Sequence, residues 1–192
     1  MATIPKILAF AGSTRVDSYN KKLVKIAAAG AATAGAEVTY IDLRDLPMPL
    51  FDEDVEAKEG MHPNALTFKN LLMEHQGLLI ASPEYNSSIT AVLKNALDWA
   101  SRPALGEPPL AAFSGKVAAI MSTSPGALGG LRGLVHLRAI LSNIGVLVLP
   151  GQVAVPKAYE MFKDDGTLKD AKKQQSIEKL AESVATILLK LS

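Results

Sequence analysis

Polar side chains able to hold an anion crowd one short stretch, KILAFAGSTRVDSYNKKL, where Ser13, Thr14, Arg15, Ser18 and Asn20 stand between an apolar run and a helical pattern. Gly12 can adopt backbone shapes that other residues avoid, and the hydroxyl and amide groups lie beside the unpaired first N–H groups of the coming helix. Arg15 adds a delocalised positive fork that matches a phosphoryl group. A helix N-terminus attracts an anion by only roughly 0.3–1 kcal/mol, so several donors and Arg15 would have to share the hold. The arrangement suits a terminal monophosphate. The same residue types cap helices, and the stretch alone leaves phosphate binding and capping equally open. The glycines of a dinucleotide fingerprint do not follow Gly12, and no GxxxxGK(S/T) run occurs.

A second cluster, SPEYNSS, offers Pro83 to set the backbone, Glu84 as a carboxylate, Tyr85 as a flat amphipathic ring and Asn86 as both donor and acceptor. A planar heterocycle could rest there; equally, Pro83 and Asn86 could simply form a turn with Tyr85 at its rim. The third, STSPGALGGLRG, has Ser122, Thr123 and Ser124 as hydroxyl donors and Gly126, Gly129, Gly130 and Gly133 for close backbone approach. It could border a ring, or be a turn leading into a helix that carries Arg132 and Arg138. Asp52, Glu53, Asp54 and Glu56 are too contiguous to converge on one ion and read as a solvated loop, so no metal is assigned. His62, His75 and His136 lack metal-like spacing, and no GxSxG elbow is present. No catalytic side chain is assigned, and the missing acid and base machinery favours a cofactor that brings its own chemistry.

The elements that must position these clusters are legible as alternation. The 192 residues are 48% hydrophobic and 20% charged, enough to bury the core of a single domain spanning 1–192. A formal charge of +1 gives no reason to expect a nucleic-acid surface, and the absence of cysteine removes disulfides and thiol chemistry. With no leader-like start and no stretch near 18 apolar residues, a cytoplasmic protein without membrane insertion is expected. Apolar runs at Ile7–Ala11, Val38–Leu43, Gly77–Ser82, Val117–Met121 and Val146–Leu149 read as strands. Helical patterns cover Asn20–Thr33, Pro63–Glu74, Ile89–Ala100, Leu131–Ser142 and Asp170–Leu189. Strands alternating with helices imply a mostly parallel five-stranded sheet covered on both faces, a three-layer α/β sandwich. Ligands of such sheets gather at the carboxyl ends of the strands, where all three polar clusters fall.

Together GSTRVDSYNKKL, PEYNSSITAVLKNALDW and SPGALGGLRG resemble the NADPH-dependent FMN reductase family, which includes bacterial quinone and chromate reductases. LSNIG and DDGTLKD extend the likeness over nearly the full chain. The resemblance implies a flavodoxin-like fold with strand order 2-1-3-4-5. It implies FMN as cofactor, its phosphate at Ser13, Arg15, Ser18 and Asn20, and its ribityl and ring side at Pro83, Glu84, Tyr85 and Asn86. Ser124 and Gly126 match the loop beside the ring. NADPH or NADH would donate electrons, and a quinone or other small acceptor would receive them in a ping-pong cycle; azo compounds and chromate are possible acceptors. A homodimer or homotetramer with FMN near the subunit boundary is implied as well. The chain departs from the family pattern at Thr90 and Ala91, where proline and glycine are usual, which could alter the helix entrance and nicotinamide access. The alternative is a flavodoxin-like electron carrier or flavin-dependent regulatory protein without efficient nicotinamide turnover.

Overall fold

A computed structural model describes residues 4–104 and 106–191. Three apolar runs form the centre of the sheet: β1 (Lys6–Ala11), β3 (Gly77–Ala81) and β4 (Val117–Thr123), buried along their whole length apart from Lys6. Unbroken burial is what a strand covered on both faces requires. The half-buried strands β2 (Glu37–Asp42) and β5 (Leu147–Val155) lie at the edges. All pairings are parallel and the order is β2-β1-β3-β4-β5, the flavodoxin-like order.

The period-two alternation of β1 sorts its side chains between two cores. Ile7, Ala9 and Ala11 face α1 (Tyr19–Thr33) and α7 (Ala171–Leu191). Leu8 and Phe10 face α3 (Pro63–Glu74), α4 (Ala91–Ala100) and α5 (Leu131–Asn143). Gly30 lies mid-helix in α1 at a cost of about 1 kcal/mol in propensity. A Cβ there would stand 2.6 Å from Glu178 Cα, so glycine is what lets α1 and α7 touch backbone to backbone.

The structure differs from the sequence expectation in two places that bear on the site. The acidic stretch is a short helix, α2 (Glu53–Glu59), because Asp52 caps it by accepting from the N–H groups of Asp54 and Val55. Glu53 and Glu56 then pair with Arg102 beyond α4. The last strand continues past Pro150 and Gly151 to Val155, through a register shift in its pairing with β4. An edge strand tolerates proline at such an irregularity. Arg138 of α5 fills the gap, donating to Leu149 O at 2.7 Å and to Gln152 Oε1 at 3.0 Å. The extension brings Val155 beside the end of β4, where Thr123 Oγ1 donates to Val155 O at 2.9 Å. A short helix, α6 (Ala158–Met161), follows. Among the described residues no helix is long and apolar enough to cross a membrane.

Candidate active site

The first loop leaves the carboxyl end of β1 and enters α1 with its donors free. Ser18 occupies the N-cap position, yet its hydroxyl makes no capping bond. The backbone N–H groups of Thr14, Val16, Asp17, Tyr19 and Asn20 have no partner among the described residues. The Arg15 N–H reaches Ser13 Oγ weakly at 3.4 Å, and its guanidinium has neither hydrogen bond nor ion pair among the described residues. Asn20 is otherwise engaged: its Nδ2 donates to Thr123 O at 2.9 Å while its Oδ1 accepts from Thr123 N at 3.0 Å. That buried clasp ties the start of α1 to the end of β4, two segments the sequence separates by most of the chain.

The second loop is a tight hairpin. Tyr85 and Ser88 exchange backbone hydrogen bonds at 3.0 Å, and Asn86 and Ser87 between them have φ of 50° and 65°. Two consecutive positive φ values make a type I′ turn, which asparagine accommodates readily. Asn86 therefore forms the turn, and Tyr85 stands at its rim, 55% exposed. Glu84 points the other way, toward α5. Its Oε2 accepts from the Gly133 N–H at 2.9 Å and its Oε1 meets the Arg132 guanidinium at 2.9–3.0 Å. Burial pushes this carboxyl up, but the Gly133 N–H and the hydrogen bond and charge of Arg132 outweigh it and hold it below its ordinary value. His136, on the same helix, bonds Ser88 Oγ through Nδ1 at 2.9 Å. Sequence reasoning left Arg132 and His136 unassigned, and they prove to anchor the hairpin; their spacing of four residues on one helix face was the available signal.

Thr90 explains the departure at the helix entrance. Its backbone has φ −73°, close to the value proline would impose, and its hydroxyl both accepts from Leu93 N at 3.2 Å and donates to Gly12 O at 2.7 Å. It thus caps α4 and binds that helix to the first loop, something proline cannot do. Gly12 itself packs so closely on α4 that a Cβ would stand 2.9 Å from Leu93 Cβ.

The third loop folds down through its glycines. Gly130 has φ 88°, and a Cβ there would overlap Ser122 Oγ at 1.8 Å; one on Gly129 would meet Val155 C at 2.6 Å. Ser122 Oγ donates to Ser82 O at 2.6 Å, joining the ends of β3 and β4. Gly126 turns its carbonyl to the N–H groups of Gly129 and Lys157. All three loops consequently border one cleft of about 220 Å³ at the carboxyl end of the sheet. Ser13, Arg15, Ser18 and Asn20 line it from the first loop, Pro83, Glu84 and Tyr85 from the second, and Ser124 from the third. Asn86 and Gly126 are not on its wall but in the turns that shape it.

Residues 5–160 match the family model described as NADPH-dependent FMN reductase. The chain belongs to the NADPH-dependent FMN reductase family. An NAD(P)H-dependent FMN reductase from Pseudomonas aeruginosa is 37% identical over 180 residues, covering 93% of this chain and 92% of that protein. A quinone reductase from Pseudomonas putida is 34% identical, with 88% of each covered. Among solved structures, the flavoenzyme NAD(P)H:(acceptor) oxidoreductase FerB from Paracoccus denitrificans superposes with a TM-score of 0.82 at 26% identity, covering 97% of this chain and 98% of FerB. FMN reductases of this family are oxidoreductases, and the donor set just described fits a phosphate monoester: unpaired N–H groups, two hydroxyls and an unopposed guanidinium on the first loop beside the cleft.

Proposed function

We propose that this protein is a flavoenzyme that holds FMN in the three-loop cleft and passes electrons from NAD(P)H to a quinone-type acceptor. The observation that carries the reading is the convergence of the three loops: the anion-binding residues Arg15 and Ser18 and the aromatic Tyr85 line one cleft. Ser13, Arg15 and Ser18 would take the phosphate. Asn20 would contribute through its backbone N–H, since its side chain braces Thr123. Pro83, Glu84, Tyr85 and Asn86 form the side that takes the ribityl chain and ring, closed by Ser124 and Gly126. When bound, FMN supplies the two-electron chemistry, accepting a hydride from the nicotinamide and returning electrons to the acceptor.

The protein's own contribution is placement. The Glu84 contacts to Gly133 and Arg132 fix the hairpin, so the exposed Tyr85 ring is presented from a rigid turn. Glu84 is a positioning group here, because both of its oxygens are already engaged. Leu128, Leu131 and Val135 leave an exposed apolar face on and just before α5. That face supports a homodimer or homotetramer in which the cleft lies near a subunit boundary. We take residues 1–192 as a single cytoplasmic FMN-binding domain.

The deciding experiment is anaerobic. Purified protein titrated with FMN should take it up saturably, turn yellow, bleach on mixing with NADPH or NADH, and recover its colour when a benzoquinone is added. Protein that takes up no FMN in excess overturns the reading; a yellow protein that neither nucleotide bleaches is an electron carrier.

A further inference from the structure

The phosphate loop has two sides. Ser13 and Arg15 face the three-loop cleft, whereas Thr14 faces a second cleft of about 290 Å³ between the segment after β2 and α4. Its walls are mostly apolar, with Leu46, Pro47 and Met48 on one side and Val92 and Ala96 on the other. Among the described residues that line it, Arg44 is the only cation.

Three features make this cleft a built site. Its outer wall is held firmly: Asn95 donates to Pro49 O at 2.9 Å and accepts from Phe51 N at 2.7 Å, and Trp99 Nε1 also donates to Pro49 O. Arg44 has no partner for its guanidinium among the described residues, although two acids neighbour it in sequence. Asp42 is drawn away by Lys21 Nζ at 2.6 Å and accepts only the backbone N–H of Arg44, while Asp45 lines a separate cleft beside Tyr40. The Thr14 hydroxyl is likewise without a partner among the described residues. A mostly apolar cleft with room for a purine, lined also by a free guanidinium and a hydroxyl, is complementary to an aromatic base carrying an anionic phosphate.

We propose that this second cleft receives the adenylyl end of the donor nucleotide, with Arg44 and Thr14 on its 2′-phosphate, so that the protein selects NADPH over NADH. The proposal rests on the reductase reading and adds to it the discriminating site. The two clefts share the phosphate loop, with Thr14 on one and its neighbours Ser13 and Arg15 on the other. Loss of one charge-assisted contact to the phosphate corresponds to roughly 10- to 100-fold in affinity.

The test is calorimetry on FMN-loaded protein with two probes, adenosine 2′,5′-bisphosphate and adenosine 5′-monophosphate. The parent should bind the bisphosphate roughly 10- to 100-fold more tightly. Arg44→Ala should erase that difference and Arg44→Lys should keep part of it. Both variants should retain the parent's melting temperature and FMN affinity, because the guanidinium supports nothing else. Stopped-flow reduction should show the apparent Kd for NADPH raised in Arg44→Ala, with that for NADH and the limiting rate of bleaching unchanged. Equal probe affinities in the parent, or a loss in Arg44→Ala shared equally by NADPH and NADH, overturns the site. Failure of the reductase reading looks different: the parent itself would not be bleached by either nucleotide.

Discussion

Arg15 lines the three-loop cleft and Arg132 stands behind its hairpin, and their neighbours decide what each can do. Arg132 is occupied by Glu84 at 2.9 Å, whereas the Arg15 guanidinium has no partner among the described residues. Replacing Arg15 with alanine should therefore raise the Kd for FMN roughly 10- to 100-fold, the loss of a charge-assisted phosphate contact of about 1.5–3 kcal/mol. The melting temperature of the FMN-free protein should stay put. Flavin-fluorescence titration and thermal melts read the two effects separately, and an unchanged Kd would remove Arg15 from the phosphate site. Tyr85 stands on another loop, in a turn that holds itself together through backbone bonds, so Tyr85→Ala should leave most of the FMN affinity intact. What should change is the ranking of acceptors by kcat/KM, measured with quinones of different ring size. An unaltered ranking would mean that acceptors do not approach over this ring.

At the scale of elements, the site is made of ties between segments distant in sequence. Asn20 joins α1 to the end of β4, Ser122 joins β4 to β3, and Thr90 joins α4 to the phosphate loop at Gly12. Thr90→Val keeps the shape of the side chain but removes both the helix cap and the donor to a buried carbonyl. It should destabilise the fold by about 1–3 kcal/mol and weaken FMN binding as well, because Gly12 opens the phosphate loop. Urea denaturation with and without FMN checks this, and loss of stability alone would restrict Thr90 to capping. Neither the clasp at Asn20 nor the dual bond of Thr90 could be read from the chain. An asparagine near a helix start and a threonine before one are ordinary caps locally; only the distant partner distinguishes a tie from a cap. The length of β5 was hidden for a related reason, since proline and glycine signal a break and the contacts of Arg138 that carry the strand past them come from another element.

At the scale of the whole molecule, pH acts through a group far from the cleft. Lys116 immediately precedes β4 at the amino end of the sheet, donates to His75 O, and is lowered by burial to about 8 from its ordinary 10.5. The folded protein binds fewer protons than the unfolded chain between those values, so this group makes stability rise as pH increases from about 8 toward 10.5. The Tyr40 phenol, raised above 10.0 by burial and then by Asp42 and Asp45, works in the opposite direction only at higher pH. Urea denaturation at pH 7.5, 8.5 and 9.5 should show the midpoint climbing, and Lys116→Met should flatten the climb. A slope that survives the substitution would assign it to other groups.

The order of apolar runs and helical patterns was enough to determine a three-layer α/β sandwich, because burial on both faces leaves an unbroken hydrophobic strand as a local mark and parallel strands need helical crossovers; the flavodoxin-like strand order was implied by the family resemblance. The three polar clusters were legible too, since each follows a strand directly and so falls at the same end of the sheet. Which side chains in those clusters remain free was decided by tertiary structure alone. Arg15 and Ser18 stay available and Arg44 faces a second cleft, whereas Glu84, Asn20 and Arg132 are engaged by partners far away in the chain. Residue type specifies what a group can bind; only packing specifies whether something already has.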